Sequence, residues 1–354
     1  MVQHQASAPA ALKELSARLG TDITRTQGAG GNTSCKVDGT MWVKASGTWL
    51  AQALDREIFV PVEVAALTAA LAAGDPRADK ATDFVVHEMN PHGLRPSIET
   101  SVHAVLPQPV VAHFHCVNTI AHAVRGDADR EVARRMSGLP RLKWEMIPYR
   151  RPGLPLALEI ARVAPERPDV LILRNHGIVI SGDSVEEVDQ RIEAVTAALA
   201  VEPRGTGEPD LEGLSTLARG SAYRPPNDPA SHAVALDEAA LRIALAGPLY
   251  PDHVIFLGGR LGLLDEGADL DRSIRSAMEG GHPPPGMILV PGRGVLVSNT
   301  LTEGGLAMAR CLAEVALRVD PTAPVDYLDA AQVYELTHWE AEQYRRELDR
   351  PSGA

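Results

Sequence analysis

Val110-Val-Ala-His-Phe-His-Cys-Val117 decides the fold. It is a short apolar run, β-branched at both ends and opened by Pro109, and it reads as a buried strand. Side chains alternate across a strand, so His113 and His115 share one face. Cys116 falls on the other face and reads as core. Two imidazoles side by side can hold one metal ion. The pair alone is equally compatible with two core histidines hydrogen-bonded to backbone, which would satisfy buried polar groups just as well.

Working upstream, Arg95-Pro-Ser-Ile-Glu-Thr-Ser-Val-His-Ala-Val-Leu106 predicts a helix. Ser97 would cap it, and Ile98, Val102, Val105 and Leu106 form its apolar stripe. Glu99 then stands in the first turn, where the helix dipole favours its ionised form; dipole complementation, or a pair with His103 one turn on, is the plain structural alternative to a functional role. A short strand is expected at 84–87, a strand at 58–61 and a helix over 62–73. Further back, Gln27-Gly-Ala-Gly-Gly-Asn-Thr-Ser34 packs three glycines into four residues. Such a loop is either a plain hairpin turn or an anion cradle, with Gly31 and Asn32 at its end. It lacks the Rossmann and P-loop spacings. Strands at 35–37 and 41–44 would flank an Asp38-Gly39 turn. Ala45-Ser-Gly-Thr48 follows as a second small-residue loop, with Ser46 and Gly47 at its tip. Leu12, Leu15 and Leu19 mark a first helix.

Downstream, a helix at 118–124 leads into a less regular stretch, 126–149, and a helix over 155–163. Two apolar strand pieces then flank Arg174-Asn-His-Gly177. A polar trio between buried strands needs partners, so His176 is either a hydrogen-bonded core histidine, the plainer reading of the trio alone, or a third candidate ligand. Ser184 caps a helix to 201. Residues 202–230 are rich in Pro, Gly and charge and read as a linker. Beyond it, a helix at 235–246 precedes strands at 253–257, 287–290 and 295–298, and helices at 302–319 and 327–346. The expected organisation is an α/β domain over 8–201, the linker 202–230 and a smaller α/β unit over 231–354.

The 354 residues carry a formal charge of −12, which argues against a general nucleic-acid backbone binder. No apolar run is long enough to span a bilayer. Residues 1–20 lack the layout of a signal peptide. Cys35, Cys116 and Cys311 are far apart and odd in number, as expected in a reducing compartment. The expectation is a soluble cytoplasmic protein with neither nucleic-acid nor membrane partner.

Gly30-Gly-Asn-Thr-Ser34, Ala45-Ser-Gly47, Ser97-Ile-Glu-Thr100, His113-Phe-His115 and Asn175-His-Gly177 together resemble the class II aldolase/adducin family, in its order and at about its spacing. The likeness covers roughly residues 10–200. The tail motifs Gly247-Pro-Leu-Tyr-Pro-Asp-His-Val254, Leu289-Val-Pro-Gly292 and His338-Trp-Glu-Ala-Glu-Gln343 look like the region after the aldolase domain in bifunctional rhamnulose-1-phosphate aldolase/short-chain dehydrogenase proteins. With no dinucleotide fingerprint and no Tyr-x-x-x-Lys pair, hydride transfer is not expected.

The resemblance implies a three-layer α/β/α sandwich around a mixed, largely antiparallel sheet. It implies Zn2+, or another divalent metal, on His113, His115 and His176. It makes Glu99 the general acid/base and puts Gly31, Asn32, Ser46, Gly47 and Ser97 on the substrate's anionic end. The substrate would be a small anion, a sugar phosphate or a hydroxy-keto acid, and the protein a homo-oligomer, with a tetramer as the family's common form. Aldol cleavage is the first implied reaction; epimerisation, dehydration and decarboxylation share the chemistry, and a non-catalytic adducin-like assembly module is the third reading. Family aldolases also use a tyrosine from a neighbouring subunit. Tyr149, Tyr223 and Tyr250 are available, none in a matching motif.

Overall fold

The computed structural model describes residues 7–279 and 281–339. The chain forms two compact units. The first runs to Thr119 and resumes over Val132–Leu199; the second takes Ile120–Glu131 and the chain from Ala200 on.

The first unit is built on a seven-stranded sheet. Its strands are β1 Asn32–Val37, β2 Thr40–Lys44, β3 Phe59–Glu63, β4 Val110–Phe114, β5 Trp144–Ile147, β6 Val170–Leu173 and β7 Gly177–Gly182. They lie in the order β3-β2-β1-β4-β7-β6-β5. Every neighbouring pair is antiparallel except β5 with β6. β1 and β2 close over Asp38 and Gly39 with φ of 49° and 81°, the left-handed pair that a two-residue hairpin turn requires. The central strand β4 is buried throughout. Helices cover both faces, as the apolar content of the strands demands. Helices Ala10–Thr21 and Val185–Ala198 pack on one face, against β1, β4 and β7. On the other, Val102 of helix Thr100–Val105 and Leu156 and Ile160 of helix Leu154–Ala161 share a core with Val111, Leu171 and Val179. This is the expected α/β/α sandwich.

The register decides which side chains meet. Asn32 pairs with His113 and Ser34 with Val111, while His113 pairs with Val179. Directly paired residues point to the same face. Asn32, Ser34 and His113 therefore stand on the face that helix Thr100–Val105 covers.

Several expected elements differ. Residues 84–87 do not form a strand. Short 3-10 turns, Ala81–Phe84 and His87–Met89, flank a single bridge from Val85 to Val62, and Phe84 packs into the core. The stretch 126–149 holds helix Ala128–Met136 and strand β5. That helix buries only Ala128, Val132 and Met136, a stripe one residue wide in a charged segment, so its periodicity is thin.

The second unit contains a four-stranded sheet of β8 Tyr223–Arg224, β9 Gly262–Leu263, β10 Met287–Val290 and β11 Gly294–Ser298, in the order β8-β11-β10-β9. The 202–230 segment is not a bare linker. It supplies helix Leu211–Leu217 and β8, and Leu214 and Tyr223 are buried in this unit's core. Residues 253–257 form a helix, Pro251–Leu257, rather than a strand. Pro251 sits at its first turn, where a missing N–H costs nothing, and a short apolar run does not by itself separate helix from strand. The helix expected at 235–246 is broken into Ala233–Leu236 and Glu238–Ala246 by Asp237, whose carboxylate caps the second piece by accepting from Ala240 N at 2.7 Å. The last described helix is Ala330–Thr337, opened by a capping box of Asp329 and Gln332. The Glu340–Gln343 part of the tail motif lies outside the described residues. No helix among the described residues is long and apolar enough to cross a membrane.

Candidate metal centre

The centre is assembled by three chain segments on one face of the larger sheet. His113 lies in β4, and His115 follows the strand's last residue, Phe114. His176 sits in the turn joining β6 to β7, after Asn175 at a φ of 51°. Gly177 opens β7 where a Cβ would stand 2.6 Å from the Phe114 carbonyl oxygen, so only glycine lets the turn close against β4. The polar trio read from the sequence thus has its reason: the turn is pressed against the histidine strand.

All three rings are buried. Their centroids are 4.9 to 5.2 Å apart, and one ring nitrogen of each lies within 4.8 Å of the others. His113 Nε2 and His115 Nε2 are 3.2 Å apart. Nitrogens bound to one ion at about 2.0–2.1 Å in a tetrahedron stand about 3.3 Å from each other. His113 Nδ1–H donates to the Ile178 carbonyl at 2.9 Å, which orients the ring and makes Nε2 the nitrogen turned toward His115, His176 and Glu99. The donor set therefore fits a divalent metal.

Glu99 faces this group. Its Oε2 is 3.2 Å from His113 Nε2 and its Oε1 is 3.5 Å from His176 Nε2. Oε1 is buried with no hydrogen bond among the described residues. Burial would raise the Glu99 carboxyl; the charges of His113, His176 and His115 and a hydrogen bond from His113 outweigh it and hold the group well below the usual carboxylate range. An acceptor-only oxygen left bare inside the protein is costly unless a cation or proton meets it.

The helix expected from Ser97 begins later, at Thr100, with Glu99 at its N-cap position. Ser97 still serves Glu99, accepting from its backbone N–H at 3.3 Å. The expected His103–Glu99 pairing does not occur. His103 contacts Ser34 and Asn32 instead. Asn32 Nδ2 donates to Ser97 Oγ at 3.1 Å and to Glu99 Oε2 at 3.0 Å. Gly31, at a φ of 68°, holds the loop against β4 where a Cβ would lie 2.9 Å from the His113 carbonyl.

The loops read as anion cradles come together only in part. Asn32 and Ser97 meet, and the Ser46-Gly47 loop is stitched to the Ser97 segment by Ser46 N–H to Arg95 O and Ser97 N–H to Lys44 O, both at 2.9 Å. Those two amides are spent on the fold. Lys44, not among the residues expected at the site, also lies between these loops. It is buried, and its ammonium donates to Ala29 O at 2.9 Å and Thr48 O at 2.6 Å, one in each loop. A lysine closing an otherwise apolar strand, directly before the small-residue loop, was the available signal. Of the three candidate tyrosines, Tyr223 donates its hydroxyl to Pro285 O at 2.7 Å and Tyr250 is fully buried in the second unit.

Among known proteins, the chain is 29% identical over 204 residues to the uncharacterized oxidoreductase YuxG of Bacillus subtilis (strain 168). That match takes in 53% of this chain and 29% of YuxG, so the chain spans well under half the length of this relative. The N-terminal class II aldolase domain of a conserved protein from Thermoplasma acidophilum is 24% identical, with a TM-score of 0.46 over 56% of this chain and 97% of that one. L-fuculose-1-phosphate aldolase from Thermus thermophilus is 17% identical, with a TM-score of 0.36 over 53% and 92%. The family described as class II aldolase and adducin N-terminal domain matches residues 12–202, more than half of the chain and all of the histidine-bearing sheet. By that match the chain belongs to the class II aldolase/adducin family.

Proposed function

We propose that the first unit is a metal-dependent lyase of the aldolase type, acting on a ketose phosphate or a related hydroxy-ketone. The observation that carries this reading is the convergence of three buried imidazoles opposite the buried carboxyl group of Glu99. His113, His115 and His176 would hold the ion, with zinc as the first choice. A divalent cation there supplies electrophilic stabilisation of the negative charge that develops on substrate oxygens as a carbon–carbon bond breaks. In the cleavage direction Glu99 would take up the proton lost by the hydroxyl that becomes the aldehyde and give a proton to the carbon left electron-rich; in the reverse direction it would withdraw that proton and return one to the new hydroxyl. Gly31, Asn32, Ser46, Gly47 and Ser97 would line the anionic end of the substrate. Lys44 ties the two loops together by donating to one carbonyl in each.

The likeness of the tail to bifunctional rhamnulose-1-phosphate aldolase/dehydrogenase proteins favours a 1-phosphorylated deoxy-ketose, with a carboxylate-bearing hydroxy-keto compound second. Ile98 stands where sugar-phosphate aldolases usually carry a second hydroxyl. The loss is about 1 kcal/mol if that hydroxyl would have bonded the anion. Epimerisation, dehydration or decarboxylation through the same charge-stabilised state is the second reading, since the same residues serve it. The test is aldehyde release from matched phosphorylated and free ketoses. The reading expects a higher kcat/KM for the phosphate; a free sugar cleaved equally well would remove the anion site, and no aldehyde from any ketose would remove the aldolase.

A further inference from the structure

We propose that His103 is a positioning residue that fixes, through Asn32, which oxygen of Glu99 carries protons; the proposal rests on the role given to Glu99 above. Both hydrogens of the Asn32 amide are committed, one to Ser97 Oγ and one to Glu99 Oε2. The amide oxygen therefore points away from Glu99, and it lies in a short contact with His103 Nε2. That oxygen can only accept, so His103 Nε2 must carry the ring hydrogen. His103 is fully buried, and burial, with His113 nearby, pushes its pKa down to about 3, so the ring is neutral. A neutral imidazole has one N–H. Its Nδ1 is then bare and accepts the Ser34 hydroxyl at 2.7 Å.

The result is a one-way chain of donors: Ser34 to His103, His103 to Asn32, Asn32 to Glu99 Oε2. Turning the Asn32 amide over would set its oxygen against the carboxylate and its NH2 against the His103 N–H, two mismatches in a dry site. The chain ties up Oε2 and leaves Oε1 as the oxygen without a hydrogen bond among the described residues. Oε1 is the atom from which a proton would be given or taken. With both ring nitrogens committed to Ser34 and Asn32, His103 acts on Glu99 only through Asn32.

The test compares His103→Leu, which removes both ring contacts, with His103→Gln, which can keep an N–H toward Asn32. Bound metal, kcat, KM and crystal structures are measured for each, and kcat also in an Asn32→Ala background. In the His103→Leu crystal, Asn32 is expected to leave Glu99 Oε2, with bound metal retained. The kcat should fall about tenfold to a hundredfold with a smaller change in KM, on the scale of lost outer-shell hydrogen bonds at such sites. His103→Gln should recover most of the rate and the Asn32–Glu99 contact. In the Asn32→Ala background, His103→Leu should cost little further. Equal losses in Leu and Gln, additive losses with Asn32→Ala, or an unmoved Asn32 amide in the Leu crystal would each overturn the proposal. The crystal comparison is independent of turnover, so a failure of the aldolase reading would be seen separately, as wild-type protein that releases no aldehyde.

Discussion

The two oxygens of Glu99 have different neighbours, and that difference carries the chemistry proposed for it. Oε2 accepts from Asn32 and faces His113, while Oε1 has no hydrogen bond among the described residues. A glutamate that moves protons must be able to bind one; a glutamate that only complements a helix N-terminus needs nothing but charge. Glu99→Gln separates the two roles because it keeps the shape and cannot act as a base. The expected outcome is protein that retains its metal and loses about a hundredfold or more in turnover, the scale of general acid/base catalysis. Near-normal rates would return Glu99 to the helix end. The sequence disclosed this residue through its place in Ser97-Ile-Glu-Thr100, and the three histidines through a His-x-His strand and an Asn-His-Gly turn. It did not disclose Lys44 or the Ser34–His103–Asn32 chain. Those depend on the β1–β4 register, which puts Asn32 opposite His113, and a register is set by pairing between segments far apart in the chain.

Among the elements, those with strong alternation or a capping residue were legible: the β1–β2 hairpin over Asp38-Gly39, β4, the β6–β7 pair and the helix capped by Ser184, whose side chain accepts from Glu187 N–H. The elements that misled share a short apolar run. Helix Pro251–Leu257 reads as a strand because His253, Val254, Ile255 and Leu257 are all buried and no polar face shows a helical period. Its burial has a measurable consequence. His253 is fully buried, and desolvation pushes its pKa down to about 4, against about 6.5 in the unfolded chain. Between those values the unfolded chain binds more protons than the folded one. The stabilising effect of keeping this ring neutral is therefore fully present above about pH 6.5 and lost as pH falls toward 4. Each unit of such a shift corresponds to about 1.4 kcal/mol. Denaturant unfolding at pH 7 and pH 5 should show lower stability at pH 5, and a non-titrating residue in place of His253 should flatten part of that slope. A slope unchanged in the variant would mean that this ring is protonated in the folded state.

At the scale of the molecule, the chain is organised differently from three consecutive blocks of sequence. Ile120–Glu131 leaves the first unit and joins the second, held there by Gly126 N–H to Pro324 O at 2.8 Å and Asp326 N–H to Val124 O at 2.7 Å. Composition alone does not report such an excursion, because each partner is a backbone group. The central sheet was legible because its strands are apolar and its motifs recur in family order; the second unit was less so because its strands are short and β8 and β9 hold two residues each. What unites the account is the ion it assigns to the first unit. Tag-free protein should be analysed for metal, as wild type and as His176→Ala. The account predicts about one divalent ion per wild-type chain, at the three-histidine site, and little or none in the variant, with the fold retained. Wild-type protein without metal, or His176→Ala with full occupancy, would contradict it.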